Sequence, residues 1–539
     1  MINIEQLTIG EYFALAAQRY ADNSFLVVPE HKQRHYYPDG LELSYSQAAQ
    51  QVKSYQLTLS DAGYGHGHRI AVLLGNQPEM LLVKLALNSL GIVWVPLNPD
   101  YRPSEAAYIL QDSNVDLAIT VPSMMPQLRT AILACNNDLA TGQLINDALN
   151  IPIARSDAPN QRRITPDSEA SILYTSGTTG RPKGCILGHE YELMQGSWYC
   201  SRGGTFSLRE GRERVYNPLP LFHVNAAIVH MFGTIVGGNC QIIPERFSRR
   251  RWWAEIRAAQ ATGMHYLGVV IPALMNDPAS ADDKNHTLRW GLGAGVEPTL
   301  HKAFEDRFGI PLIEVWGMTE MCRILTDCHE PRLINTRAIG KPQPGLEVRV
   351  VNADDADVQP GESGEMVVRH SENTPRRGAF SGYLNLPEAT EDAWRGGWFH
   401  TGDVVRQDQN GMLYFVDRKK SIIRRSGENI AAAEVEACLQ AHPNVDQVAV
   451  IAVKDDMRDE EVMACITVIQ GEKDLPHARR LFEFAMTELT YYKAPGWIVF
   501  LDSIPVTGSQ KIQKHIIFSK REDPTTHPNA YDFRHFKKR

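Results

Sequence analysis

Between Ser171 and Leu187 the chain reads S-I-L-Y-T-S-G-T-T-G-R-P-K-G-C-I-L, an apolar run that opens into a loop of hydroxyls and glycines holding Arg181 and Lys183. Such a loop suits a polyphosphate. Gly177, Gly180 and Gly184 let the backbone turn with its N–H groups exposed, Thr175, Ser176, Thr178 and Thr179 add hydroxyl donors, and Lys183 brings positive charge. The spacing is not that of the Walker A loop, G-x-x-x-x-G-K-[ST], because Lys183 comes three positions after Gly180 and is followed by Gly184. A P-loop kinase or ATPase is excluded on that ground. Taken alone, the segment is also readable as a polar connector.

A loop of this kind needs strands to carry it. From Arg69 the text runs RIAVLLGN, EMLLVKLALNSLG, IVWVPLN, PSEAAYILQDS and VDLAIT, short apolar runs alternating with helical-period segments as in a βαβαβ unit with a parallel sheet. A second alternation begins near Val215, and a turn-rich stretch from Ile339 to Gly411 reads as antiparallel β structure. After the charged turn Asp417-Arg418-Lys419-Lys420 the pattern changes to helix (EVEACLQAH), strand (VDQVAVIAV), strand (VMACITVIQ), helix (HARRLFEFAMTEL) and strand (WIVFL). The expected fold is therefore α/β. Residues 1–418 form a large domain of layered α/β sheets with a β subdomain, and residues 419–539 form a small mobile α+β domain hinged near Lys420. The tail from Glu522 has no apolar period and is expected to lie on the surface or fray.

Across 539 residues, 43% hydrophobic and 22% charged is an ordinary globular composition. The net charge of −8 argues against a general nucleic-acid or anionic-membrane surface. No leader pattern opens the sequence, and its most apolar windows are broken by Lys84 or His230, so no membrane span is expected and the cytoplasm is the default location. The eight cysteines form no C-x-x-C pair, which argues against a disulfide framework or a zinc ribbon. Cys322, Cys328 and His329 lack a fourth ligand at a suitable spacing.

Further motifs follow the loop in order. They are P-L-F-H ending at His223, G-A-G at Gly293-Ala294-Gly295, W-G-M-T-E from Trp316 to Glu320, T-G-D ending at Asp403, D-R-K-K ending at Lys420, S-G-E-N from Ser426, and P-V-T-G-S-Q-K ending at Lys511. With these marks nearly the whole chain resembles the adenylate-forming superfamily of acyl-CoA synthetases, luciferases and peptide-synthetase adenylation domains. R-S-G-E-N-I, Y-Y-K-A-P and T-x-x-x-K-x-x-K are most similar to the carnitine/crotonobetaine–CoA ligase group and to general acyl-CoA ligases.

The resemblance implies ATP, Mg²⁺ and coenzyme A as cofactors and co-substrates, and a carboxylic acid as substrate. Thr175, Ser176, Gly177, Thr178, Thr179, Lys183, Gly293, Ala294, Gly295, Trp316, Gly317, Met318 and Thr319 would bind ATP or AMP, with Trp316 against adenine. Glu320 would hold Mg²⁺, a hard cation that prefers carboxylate oxygen. Asp403 would accept the ribose hydroxyls, with Arg418 assisting. Lys511 would be the principal catalyst of adenylation, because attack of a carboxylate on an α-phosphate brings two anions together. Gln510 stands where the family often has glycine, and Lys514 competes for the role.

His223 would place the acid, and His223, Val224, Asn225, Val270, Gly293 and Met318 would line its pocket. Rotation about Lys420 would bring Ser426, Gly427 and Glu428 to the CoA channel for the second half-reaction. Arg249, Arg250 and Arg251 contact CoA phosphates or form a solvated face, and Arg323 pairs with a second carboxylate or faces solvent. Two other activities stay open: an adenylating enzyme with a carrier-bound phosphopantetheine or another acceptor, and a silent nucleotide-binding protein. The second predicts losses among Lys183, Glu320, Asp403 and Lys511, all of which are present. Dimers are common among similar enzymes, which leaves a homodimer open.

Overall fold

The computed structural model describes residues 4, 6–135, 138–160, 162–175, 181–268, 270–296, 298–418, 422–469, 473–505, 514, 517–519 and 522–537. The chain divides into two compact units. One gathers nearly all of residues 1–417, and the other gathers residues 418–539 with the short stretches Asp100–Ala106 and Thr175–Lys183.

In the first unit the expected βαβαβ pattern is realised. Strand Arg69–Leu73 pairs in parallel with Val93–Pro96 and Leu117–Thr120, and helices Pro78–Ser89 and Pro103–Asp112 make the crossovers. Helix Pro78–Ser89 opens on a proline, whose fixed φ suits a first turn, and is apolar on all sides. It is accordingly buried along nearly its whole length, Lys84 included. The Lys84 ammonium donates to Glu192 and to Asn88 Oδ1 (2.8 Å), and Glu192 also accepts from the Ser171 hydroxyl (2.6 Å). Burial pushes the Lys84 pKa down and the Glu192 pKa up, while the attraction between them opposes both shifts.

The second eight-stranded sheet positions most of the motif residues. Its parallel strands Ser24–Val28, Cys240–Ile242, Arg214–Tyr216, Gly263–Leu267, Trp290–Ala294 and Leu312–Met318 lie side by side in that order, and Met321–Thr326 returns antiparallel at one edge. Parallel strands put all their carboxyl ends along one rim, where open α/β sheets hold ligands. The turn-rich region forms a five-stranded antiparallel sheet of Ala338–Gly340, Leu413–Arg418, Phe399–Gln407, Ser363–Arg369 and Glu347–Val351.

The second unit contains the expected helices and strands. Helix Leu475–Glu488 is capped by Asp474, whose side chain accepts from His477 N (2.9 Å). It buries Ala478, Leu481, Phe482 and Ala485, one stripe at helical spacing. Strands Ile422–Arg425 and Glu428–Ala431 form a hairpin whose two turn residues, Ser426 (φ +50°) and Gly427 (φ +88°), are both left-handed. A two-residue turn of that hand matches the twist of the strands and explains a glycine at 427.

Of the two alternatives for the tail, residues 522–537 follow the first: they lie along the surface of this unit and are held there rather than frayed. Ala530–Asp532 adds an antiparallel strand beside Trp497–Phe500, and Phe533 is buried, stacked on Phe482 with centroids 4.9 Å apart. The Lys537 ammonium is buried on Glu461 (2.6 Å), whose other oxygen accepts from Arg425 Nε (2.7 Å).

Candidate active site

At the rim of the second sheet the backbones of two strand ends come very close. A Cβ on Gly293 would lie 2.3 Å from the Tyr266 carbonyl oxygen, and one on Gly268 would lie 2.3 Å from that of Gly295, itself at φ +84°. Glu314 fixes this turn from beneath. Its carboxylate accepts from the Tyr266 hydroxyl (2.7 Å), Gly295 N (2.9 Å) and Val296 N (3.3 Å). Burial raises the Glu314 pKa, and the three donors pull the other way. Gly293, Ala294 and Gly295 thus form a rigid rim, while Val270 is buried in the core at the start of helix Val270–Met275.

Next along the rim, Leu312–Met318 and Met321–Thr326 make a hairpin with Thr319 and Glu320 as its turn. The register shifts between Trp316 and Met318, where Gly317 is exposed and Met318 half-buried. Tyr191 donates its hydroxyl to the Thr319 carbonyl (2.8 Å). Tyr383 donates to Glu320 Oε1 (2.9 Å), and Phe380 N to the Glu320 carbonyl (2.9 Å). Burial, with the Glu320 charge beside it, raises the Tyr383 pKa, so its hydroxyl stays a donor.

Trp316 is buried, and its indole N–H donates to Asp403 Oδ2 at 2.8 Å, joining motifs 87 residues apart. The Asp403 backbone is fixed in turn. Gly402 (φ +71°) donates its N–H to Glu365 (3.1 Å), Asp403 N donates to Thr401 Oγ1 (3.1 Å), and Thr401 donates to the Met366 carbonyl (2.6 Å).

Half-buried His223 ends a turn in which its N–H donates to the Pro220 carbonyl (3.1 Å) and its ring packs on Phe222 (4.6 Å). Behind it, Asn225–His230 forms a wide π-helical turn leading into helix Met231–Gly237, a local irregularity frequent at functional sites. Residues 222–225 are half-buried and residues 226–237 buried, so the start of this turn is its accessible part. Val224 and Asn225 lie in that part.

Thr175 ends strand Glu169–Thr175 and Lys183 opens the adjacent strand Lys183–Gly188. Ser176, Gly177, Thr178 and Thr179 between them, and Lys420 and Lys511, lie outside the described residues. Arg418 ends strand Leu413–Arg418, and Ser426, Gly427 and Glu428 stand in the hairpin of the second unit. Arg249 pairs with Asp277 (3.3 Å) and Arg251 with Glu255 (2.9 Å), while Arg250 is exposed. Arg323 does not face solvent: it is 4% exposed, donates to the Arg377 carbonyl (2.5 Å) and lies against Met194 Sδ (2.8 Å). A long strand-borne side chain running under Gly378 leaves it no route outward.

Three residues of the site escaped the sequence reading: Glu314, Tyr191 and Tyr383. Glu314 had a signal, as a lone charge in the otherwise apolar run L-I-E-V-W-G-M. The tyrosines had none, because folding alone brings them to the turn.

The donors present fit a nucleotide. A carboxylate accepts about four hydrogen bonds, enough at Asp403 for Trp316 and a ribose diol. No cluster of three or more metal-ligating side chains exists among the described residues. One carboxylate at Glu320 suits Mg²⁺, which keeps waters and phosphate oxygens as its other ligands. The family of AMP-binding enzymes matches residues 13–384, and its C-terminal domain matches residues 434–511.

The chain belongs to the AMP-binding enzyme family. This AMP-binding enzyme is 31% identical over 468 residues to the crotonobetaine/carnitine–CoA ligase of Salmonella arizonae, covering 84% of this chain and 88% of the relative. It is 28% identical over 512 residues to the sulfoacetate–CoA ligase of Cupriavidus necator, covering 94% and 96%. Its fold matches that of the o-succinylbenzoate CoA synthetase of Bacillus subtilis with a TM-score of 0.80 at 23% identity, covering 96% and 99%. The amide bond synthetase of Marinactinospora thermotolerans matches with a TM-score of 0.77 at 25% identity, covering 93% and 98%. No helix among the described residues is long and apolar enough to cross a membrane.

Proposed function

We propose that this protein is an ATP-dependent carboxylate–CoA ligase acting on a small to medium, polar organic acid. The acid's carboxylate oxygen bonds to the α-phosphorus of ATP, the bridge to the β-phosphate breaks, and pyrophosphate leaves with the electron pair. The CoA sulfur then bonds to the acyl carbon, AMP departs, and the thiol proton passes to solvent. The observation that carries the reading is the buried Asp403 carboxylate held by Trp316, in a chain that matches the family across both of its parts.

In this reading Asp403 holds the ribose and the rim Gly293-Ala294-Gly295 flanks the adenosine. Arg418 assists at the ribose or a phosphate, and Thr319 donates to the α-phosphate. Glu320, oriented by Tyr383, would hold Mg²⁺, which when bound neutralises phosphate oxygens as charge builds on them. His223 places the acid. The segment from Thr175 to Lys183 cradles the phosphates, and Lys511 offsets the charge that builds when two anions meet. The first step needs no activated nucleophile, since a carboxylate is already ionised at neutral pH.

The domain boundary at residues 418–419 and the hinge at Lys420 serve the exchange between half-reactions, with Ser426, Gly427 and Glu428 assigned to the second. The small polar acids named for the crotonobetaine/carnitine and sulfoacetate relatives support the substrate class. A cytoplasmic location is supported by eight cysteines without a pairing pattern.

The test is ATP–pyrophosphate exchange over a panel of short, medium, aromatic and quaternary-ammonium acids, followed by AMP formation with and without CoA. Acid-dependent exchange with CoA-dependent AMP release supports the ligase. Exchange with AMP release that ignores CoA moves the second step to another acceptor, and silence throughout rejects the enzyme.

A further inference from the structure

Beneath the start of the π-helical turn lies a chain of buried polar groups that no step above uses. Asn217 (1% exposed), His230 and His265 (both 0%) and Tyr199 (1%) are enclosed by apolar core, and Asn225 is the one half-buried member. Each hydrogen bond in the chain joins one donor to one acceptor, so its direction can be deduced.

One backbone group in the chain has a fixed polarity. Leu219 N–H donates to Asn217 Oδ1 (3.0 Å), which turns the Asn217 NH₂ the other way. That NH₂ donates to Asn225 Oδ1 (3.1 Å) and to His230 Nδ1 (3.2 Å). Turning Asn225 over would set one NH₂ against another, so its oxygen must face inward. His265 Nδ1 lies 2.9 Å from that same oxygen and is therefore the protonated nitrogen, and Tyr199 donates its hydroxyl to His265 Nε2 (2.8 Å). Burial holds the His265 pKa down at about 3 and the His230 pKa far below its usual value, so both rings are neutral at physiological pH and this pattern is stable.

Asn225 Oδ1 thus takes two buried donors, and the Asn225 NH₂ bonds to nothing among the described residues, at the half-buried start of the turn that also holds His223. We infer that Asn225 is a specificity-determining residue that presents its two amide N–H groups to an oxygen acceptor on the far part of the acid, a sulfonate, second carboxylate or hydroxyl. This rests on the reading of the start of the turn as part of the acyl site. A pocket that holds unmatched donors discriminates strongly against an acid of the same shape that cannot accept, because the donors are then desolvated without a partner.

The test compares kcat/KM for acids matched in shape: sulfoacetate against 3,3-dimethylbutyrate, and malonate and 3-hydroxybutyrate each against 3-methylbutyrate. Wild type is expected to favour the acceptor-bearing member of at least one pair about 10-fold or more. Asn225→Leu should erase that ratio, raising KM for the acceptor acid about 10-fold or more beyond any change it causes for the apolar member of the same pair. Asn225→Asp keeps the inward oxygen for Asn217 and His265, so it preserves the fold while removing the donors, and it should also lose the ratio. Equal losses on both members of each pair would reduce Asn225 to a structural residue and overturn the inference. A wild-type preference for the apolar members would overturn it too, although exchange with those acids would still uphold the ligase. Silence with every acid would reject the ligase reading and the inference with it.

Discussion

Replacing Trp316 by Phe separates two ways in which this ring could serve a nucleotide. An aromatic face against adenine survives in phenylalanine, but the N–H that holds Asp403 Oδ2 at 2.8 Å does not. The carboxylate is 3% exposed, so water does not readily take the place of the lost donor. A hydrogen bond to a charged group contributes about 1.5–3 kcal/mol, and the smaller ring leaves a void costing about 1 kcal/mol more. The variant should therefore lose roughly 2.5–4 kcal/mol of stability in urea unfolding. If about 2 kcal/mol of this falls on the orientation of Asp403, the KM for ATP rises about 30-fold.

The assay is pyrophosphate release at saturating acid with ATP varied, for wild type, Trp316→Phe, Asp403→Asn and the double variant. Because both residues act through one bond, the double variant should be little worse than Asp403→Asn alone. A KM for ATP within twofold of wild type in Trp316→Phe, with a large rise only in Trp316→Leu, would refute the bond as the working element.

Lys84→Met should destabilise the first unit by about 3–5 kcal/mol by stranding buried Glu192, whereas Lys84→Met with Glu192→Leu should regain most of that loss; urea unfolding of both checks it. Lys511→Ala should slow adenylation sharply and largely spare thioester formation from a supplied acyl-adenylate, and equal losses in the two single-step assays would count against its assignment. Burial lowers the Lys537 pKa to about 7, against the Glu461 charge, which favours the ammonium. From about pH 7 to about pH 10 the unfolded chain then holds a proton that the native unit has released. The second unit should gain stability as pH rises, by at most about 1.4 kcal/mol per pH unit. Hydrogen-exchange protection of Ala530–Asp532 should follow, and Lys537→Met should flatten the trend.

The alternating runs from Arg69 and the helices and strands after residue 420 were legible because their apolar periods are long and undisturbed. How the tail is held was not legible, because its docking depends on a three-residue strand, the single ring of Phe533 and one buried ammonium, none of which makes a period. Residue types at Glu320 and Asp403 were readable from their motifs. The Trp316–Asp403 bond was not, since partners 87 residues apart meet only when the five-stranded sheet packs in the common core with the strand Leu312–Met318. Polarity inside the Tyr199–His265–Asn225 chain was equally hidden, because it depends on one backbone N–H at Leu219. The resemblance assigns Gly427 to the CoA channel, and the left-handed turn adds a local reason for a glycine there.

The most direct test of the account is the fate of the acid's oxygen. With the best acid of the panel labelled by ¹⁸O in its carboxylate, and with ATP, Mg²⁺ and CoA supplied, formation of an acyl-adenylate requires one labelled oxygen in the AMP released and none in pyrophosphate. Label in pyrophosphate or phosphate, or unlabelled AMP formed alongside the thioester, would contradict the account.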